Sequence, residues 1–203
     1  MPGTDESTAA SPTALSPNGS DYGATAFADG VPAALARLLA EHPDWSPWGH
    51  RGYALVPEFA PRGTIVRTLQ SDEGGLALCR DEYREHSLDP RWTAAVTGIR
   101  LGGAERLMRL CVQHLSRRTV QGRMTLAHPV VRAHFGEAVL DLAEARQCAD
   151  LPAAGRTADA VVRATLRRFG AAGYVDGPAR RLARALDLLS DLYREGGPDH
   201  AGR

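Results

Sequence analysis

The sequence predicts a mainly α protein, an antiparallel up-and-down helical bundle preceded by a short irregular N-terminal segment. Three observations predict it. Ala104, Leu107, Met108, Cys111, Val112 and Leu115 share one face of a 3.6-residue period, and Val131, Phe135, Ala138, Val139, Leu142, Ala145 and Ala149 repeat the pattern downstream. The two patterns meet at a short turn, Ser116-Arg117-Arg118-Thr119-Val120-Gln121-Gly122-Arg123, so the helices fold back on each other and gather arginines at one end of the bundle. Prolines stand where helices start, at Pro90, Pro129 and Pro178.

Along the chain, residues 1–25 are Ser, Thr, Pro, Gly and Ala with few large apolar groups, the composition of a disordered tail. Residues 26–75 read as a reduced N-terminal cap. A short helix runs from Ala28 to His42 and ends before Pro43. Tyr53 to Val56 and Thr64 to Leu69 read as two short strands that can pair as a hairpin. Residues 76–203 form the bundle. Helices are expected at Leu76–Glu85, from Pro90 to about Arg117, at Pro129–Leu151, from Thr157 to about Ala172, and at Pro178–Tyr193. Gly98, Gly102 and Gly103 inside the second of these each cost about 1 kcal/mol against alanine, which signals either close helix approach or a break. Trp45, Trp48, Trp92, Tyr53 and Phe59 suit a segment that folds across the bundle and covers its core.

Composition excludes several functions. The 203 residues carry 24 acidic groups against 24 basic ones, so there is no basic field for nucleic acid or an anionic membrane. Every basic residue is arginine; without a lysine, Schiff-base and P-loop chemistry are ruled out. No apolar run is long enough for a transmembrane helix, and the N-terminus has no secretory pattern. Three widely spaced cysteines, Cys79, Cys111 and Cys148, read as reduced thiols, and a cytoplasmic location is expected. The excess of Arg, Ala, Gly and Leu suggests a GC-rich, actinobacterial source. Cys111 and His114 are one helical turn apart but lack a recognisable third ligand, and Glu137, Asp141 and Glu144 lack the Glu-x-x-His of di-iron bundles; no metal is expected.

A set of motifs adds a resemblance. Leu88-Asp89-Pro90-Arg91, Gly102, Arg118 and Gly122, then the Ala/Glu-rich helix through Glu144-Ala145-Arg146, occur in an order and spacing that resemble the C-terminal bundle of acyl-CoA dehydrogenases. Gly170-Ala171-Ala172-Gly173-Tyr174 is similar to that family's Gly-Gly-x-Gly-Tyr, and Pro178, Arg181 and Arg184 to its Pro-x-x-Arg-x-x-Arg. The resemblance covers roughly residues 73–195. It implies an oxidoreductase acting on the CH–CH bond of an acyl thioester, with FAD held between subunits. Arg118, Gly122 and Gly173 are then the cofactor-binding candidates, Arg118 for the diphosphate. Glu195, in a Leu192-Tyr193-Arg194-Glu195-Gly196 run like the family's Ile-Tyr-Glu-Gly-Thr, is the candidate catalytic base.

The departures matter as well. The phenylalanine of Arg-x-x-Phe-Gly is Gln121, the Phe-Gln pair that follows is His128-Pro129, and a second family position for the base is Pro90. The first 75 residues have no room for the family's other two domains. FAD is therefore expected only at a shared interface, formed with another copy or with a full-length acyl-CoA dehydrogenase-like partner. The alternative is a flavin-free bundle in specialised metabolism, working as a non-redox enzyme on an acyl or polyketide chain or as a partner-binding scaffold.

Overall fold

A computed structural model describes residues 17–82, 88–120, 122–173 and 175–194. Helix α1 (Pro17–Ala28) and helix α2 (Val31–Glu41) precede a small antiparallel sheet of β1 (Tyr53–Pro57), β2 (Thr64–Ser71) and β3 (Gly74–Arg80). Then come α3 (Pro90–Ser116), a tiny hairpin of β4 (Thr119–Val120) and β5 (Arg123–Met124), α4 (Pro129–Gln147), α5 (Leu151–Phe169) and α6 (Pro178–Tyr193).

Helix α3 is the axis of the molecule. Asp89 caps it by accepting the Arg91 N–H at 2.9 Å, and Pro90 occupies the first turn, where no N–H is needed. From Trp92 to Ala104 it is buried almost all round, because α1, α5 and α6 each pack against it. Its glycines answer the question of approach or break: the helix is continuous. A Cβ on Gly23 of α1 would stand 2.8 Å from the Gly98 carbonyl oxygen, and one on Gly102 would overlap the Gly23 carbonyl. Backbones therefore touch where α1 crosses α3.

That crossing corrects the reading of residues 1–25 as a disordered tail, for the part that is described. Residues 17–25 are helical, and Tyr22 and Ala26 are fully buried. Small residues supply little hydrophobic signal in sequence, yet small against small is what lets two helices close on each other. Tyr22 donates to Glu41 of α2 at 2.7 Å, and Arg106 of α3 donates to the Phe27 and Ala28 carbonyls at 2.8 Å, satisfying the C-terminal end of α1.

The expected helix at 76–85 is a second correction, because Gly74–Arg80 is the central strand β3. The Ser71–Gly74 turn, with Gly74 at φ 132°, sends the chain straight back along β2, and the short apolar run after it pairs with both neighbours. For the same reason the two expected strands do not pair with each other; β3 lies between β1 and β2. Helix α5 begins at Leu151, six residues before the expected Thr157, because Asp150 caps it through the Ala153 N–H at 2.9 Å. Trp48 and Trp92 are buried, and the Tyr193 hydroxyl donates to the Pro47 carbonyl at 2.6 Å, so the irregular segment does lie over the core. Phe59 is the exception at 79% exposure.

Among the described residues, no helix is long and apolar enough to cross a membrane.

Candidate functional site

The arginine turn forms one wall of a cleft of about 610 Å3 at the end of the bundle. The last two turns of α3 supply Leu110, Gln113 and His114, with Arg117 at its C-cap and Arg118 just beyond. The opposite wall is Phe169 at the end of α5 and Ala172 in the turn after it, and the floor is the start of α6, Gly177 to Ala179. Local rules explain how each part arrives there. Gly170 takes φ 62°, ending α5 in a conformation that L side chains rarely adopt, and the chain turns back across the bundle end.

Among the described residues, the cleft has cationic and apolar groups but no carboxylic acid. None of its described lining side chains is a carboxylate, and Arg117 and Arg118 have no ion-pair partner among the described residues. By contrast, Arg181 and Arg184, the other arginines of the motif set, are engaged. Arg181 pairs with Asp72 and, at 3.6 Å, with Asp176, and Arg184 reaches Asp176 at 3.7 Å. Helix α6 enters the cleft with Gly177 at its N-cap and no side chain capping it, so its positive end is available to a ligand. The His114 ring packs on Phe169 with centroids 5.4 Å apart, and its Nε2 is buried without a hydrogen-bond partner among the described residues. The arrangement is suited to holding an anion beside an apolar surface.

The other expected site residues are placed differently. Gly173 is buried against α5, where a Cβ would stand 2.8 Å from the Leu166 carbonyl oxygen and the same distance from the Phe169 Cβ. Its glycine is needed to close the turn. Gly122 sits in the β4–β5 turn at φ 76°, with nothing within 4 Å of where a Cβ would be, and does not line the cleft. Glu195 lies outside the described residues, as do Gln121 and Tyr174. Cys111 donates to the Thr165 carbonyl at 3.8 Å, and burial pushes its thiol up to about 12, partly opposed by the charge of Arg168. Among the described residues, no three His, Cys, Asp or Glu side chains converge as a metal site.

Sequence reading missed the polar network at the bundle centre. Arg100, 5% exposed, donates through Nη2 to the Gly155 carbonyl at 2.9 Å, to Asp159 at 2.7 Å and to Ser190 at 3.1 Å. Ser190 in turn donates to Asp159 at 2.8 Å. The network ties α3, α5 and α6 together. Gly155 has no side chain because one would collide with the guanidinium, whose Nη1 would be 2.7 Å from its Cβ. The available signal was an arginine inside the apolar run Val96–Leu101, where an unpaired charge is intolerable.

No protein-family model matches the sequence, and no curated protein matches it. Solved structures do. The chain is similar to an acyl-CoA dehydrogenase from Geobacillus kaustophilus, at 14% identity and a TM-score of 0.47, over 70% of this chain and 46% of that one. It is similar to butyryl-CoA dehydrogenase from Megasphaera elsdenii at 15% identity and a TM-score of 0.46, over 68% of this chain and 44% of that one. A probable acyl-CoA dehydrogenase from Mycobacterium abscessus gives 14% identity and a TM-score of 0.44, over 68% and 52%. The chain thus spans about half the length of these structures.

Proposed function

We propose that the chain is an acyl-CoA dehydrogenase-like subunit whose bundle-end cleft holds the diphosphate of a flavin, with the rest of the flavin site supplied by a partner chain. The partner is a second copy or a full-length acyl-CoA dehydrogenase-like protein. The observation that carries this reading is the pair Arg117 and Arg118, exposed at a cleft with no carboxylate among its described lining residues.

A diphosphate fits these residues. The Arg118 guanidinium donates in a planar fork, the α6 N-terminus adds backbone N–H groups, and the buried His114 Nε2 has hydrogen-bonding capacity to spare. The backbone N–H groups of the α6 first turn are fixed donors that orient the anion at little entropic cost, whereas the exposed Arg118 side chain is ordered on binding. The bound flavin would accept the hydride when an acyl thioester is oxidised between its α and β carbons. This chain's part is to bind and orient; Leu110 and Phe169 exclude water beside the anion. Glu195 is the proposed base for the α-proton, Gly122 offers an open backbone turn near Arg118, and Gly173 shapes the opposite wall.

One observation favours a second reading. With no carboxylate among the described residues of its lining, the cleft offers no glutamate base of its own for α-proton removal. A flavin-free bundle that binds a phosphate-bearing acyl carrier or a partner protein would have the same cleft. The two readings separate by colour. Protein purified alone, and after co-expression with neighbouring dehydrogenases, is expected to carry flavin absorbance in at least one combination, and Arg118→Ala is expected to bleach it. A colourless protein in every combination, with FAD added, overturns the flavin reading in favour of the second.

A further inference from the structure

Helix α4 has two apolar faces, and the bundle uses only one. Phe135, Ala138, Leu142 and Ala145 are buried against the bundle. On the far side, Ala133, Gly136, Leu140 and Ala143 form a second stripe, and all four are exposed. Leu140 at 64% and Val139 beside it at 55% are large apolar side chains left in water. The spacing of three, four and three residues is that of the a and d positions of a coiled coil. Three of the four positions are small, so a second helix can approach closely around the Leu140 knob. Nothing lies within 4 Å of where a Gly136 Cβ would stand, which leaves the centre of the stripe open to that approach.

The charges beside the stripe say what occupies it. In the same register Arg132, Val139 and Arg146 flank one side, and Glu137 and Glu144 flank the other. Arg146 is paired within the chain to Glu105, but Arg132, Glu137 and Glu144 have no ion-pair partner among the described residues. A two-fold axis parallel to the helix sets opposite flanks against each other. Arg132 of one copy then faces Glu137 of the other, the five-residue offset of parallel coiled coils, and the pair occurs twice. An antiparallel arrangement instead sets arginine against arginine and glutamate against glutamate. We propose that α4 pairs with α4 of a second copy of this chain, in parallel, through Ala133, Gly136, Leu140 and Ala143, with Arg132–Glu137 pairs on both flanks. None of these residues lines the bundle-end cleft, so the seam and the flavin reading stand or fall separately.

The test uses the full chain in sedimentation equilibrium over a concentration series. The wild type is expected to dimerise, Leu140→Asp to remain monomeric, and Arg132→Glu or Glu137→Arg each to weaken association about tenfold, with the double reversal restoring it. The substituted positions are all exposed, so helical content and melting temperature of the monomeric form by circular dichroism should match the wild type. Orientation is read from Ala133→Cys in a Cys148→Ser background: a parallel seam brings the two thiols together and gives an interprotomer disulfide under mild oxidation. A wild type monomeric at every concentration, a dimer indifferent to Leu140→Asp or to the charge reversals, or a dimer that Ala133→Cys fails to cross-link overturns the proposal.

Discussion

Arg100 and Asp159 meet at 2.7 Å in the bundle centre, with side chains only 6% and 14% exposed, 59 residues apart in the chain. Arg194 adds a second cation to the same carboxylate at 3.5 Å. A pair so far from water survives because each charge answers the other, the Gly155 carbonyl and Ser190 accept from the same Arg100 Nη2, and Ser190 donates to Asp159. Removing one partner leaves the other stranded. Asp159→Ala is expected to lower unfolding free energy by about 3–5 kcal/mol in denaturant titrations, while Arg100→Met combined with Asp159→Leu costs much less. Equal losses in the single and double variants would deny the pair its role.

The α1–α3 crossing makes a separate prediction. Because a Cβ on Gly102 overlaps the Gly23 carbonyl, Gly102→Ala must push α1 away from the bundle. The expected cost is about 1–3 kcal/mol. Limited proteolysis should then cut near α1 well before the wild type is cut there. An unchanged digestion pattern would mean that α1 is not seated as described.

These two features also mark what could be read in advance. Helix α3 is expected from Pro90 to about Arg117 and runs to Ser116, and α6 is expected and found at Pro178–Tyr193, because proline starts and leucine periodicity are both strong there. Helix α1 escapes a sequence reading because its contact with α3 is made by glycines, which carry no hydrophobic pattern. Strand β3 escapes it because Leu76 to Cys79 is too short a run for periodicity to separate strand from helix. Of the site, the gathering of arginines at one end of the bundle is legible from helices folding back on one another; that the turn after α5 meets Arg118 there is not. The Arg100 network is not, since nothing local in sequence links it to Asp159 or Ser190.

Cysteine reactivity is expected to follow burial. Cys79 and Cys111 are fully buried, and the Cys111 thiol is pushed up to about 12, whereas Cys148 at the end of α4 is half-exposed. Native protein at pH 8 should react rapidly with a thiol reagent at Cys148, the other two reacting only on unfolding. Mass-spectrometric detection of rapid Cys111 labelling would contradict the packing of α3 on α5.

Asp89 gives a pH dependence with a definite sign. Partial burial raises its pKa, but the hydrogen bonds from the Arg91 side chain and from the Arg91 and Ser46 N–H groups outweigh that, and the net shift is downward. A folded-state pKa below the unfolded one stabilises the protein above the unfolded value of about 3.9 and loses that contribution as pH falls through the folded value. Asp89→Asn should therefore be less stable than the wild type at neutral pH, with the gap closing in strong acid. Asp89→Ala, which also removes the α3 cap, is expected to cost about 1 kcal/mol at pH 7 by thermal or denaturant unfolding. A gap that widens on acidification would reverse that sign.

The central claim is that the arginine-lined end of the bundle is an anion site, and calorimetric titration of the purified chain with inorganic pyrophosphate at low salt tests it most directly. Saturable binding is predicted, which Arg118→Ala weakens about tenfold and Arg117→Ala with Arg118→Ala abolishes, while Arg184→Ala, whose guanidinium reaches Asp176, changes little. No binding by the wild type, or binding indifferent to loss of both Arg117 and Arg118, would contradict it.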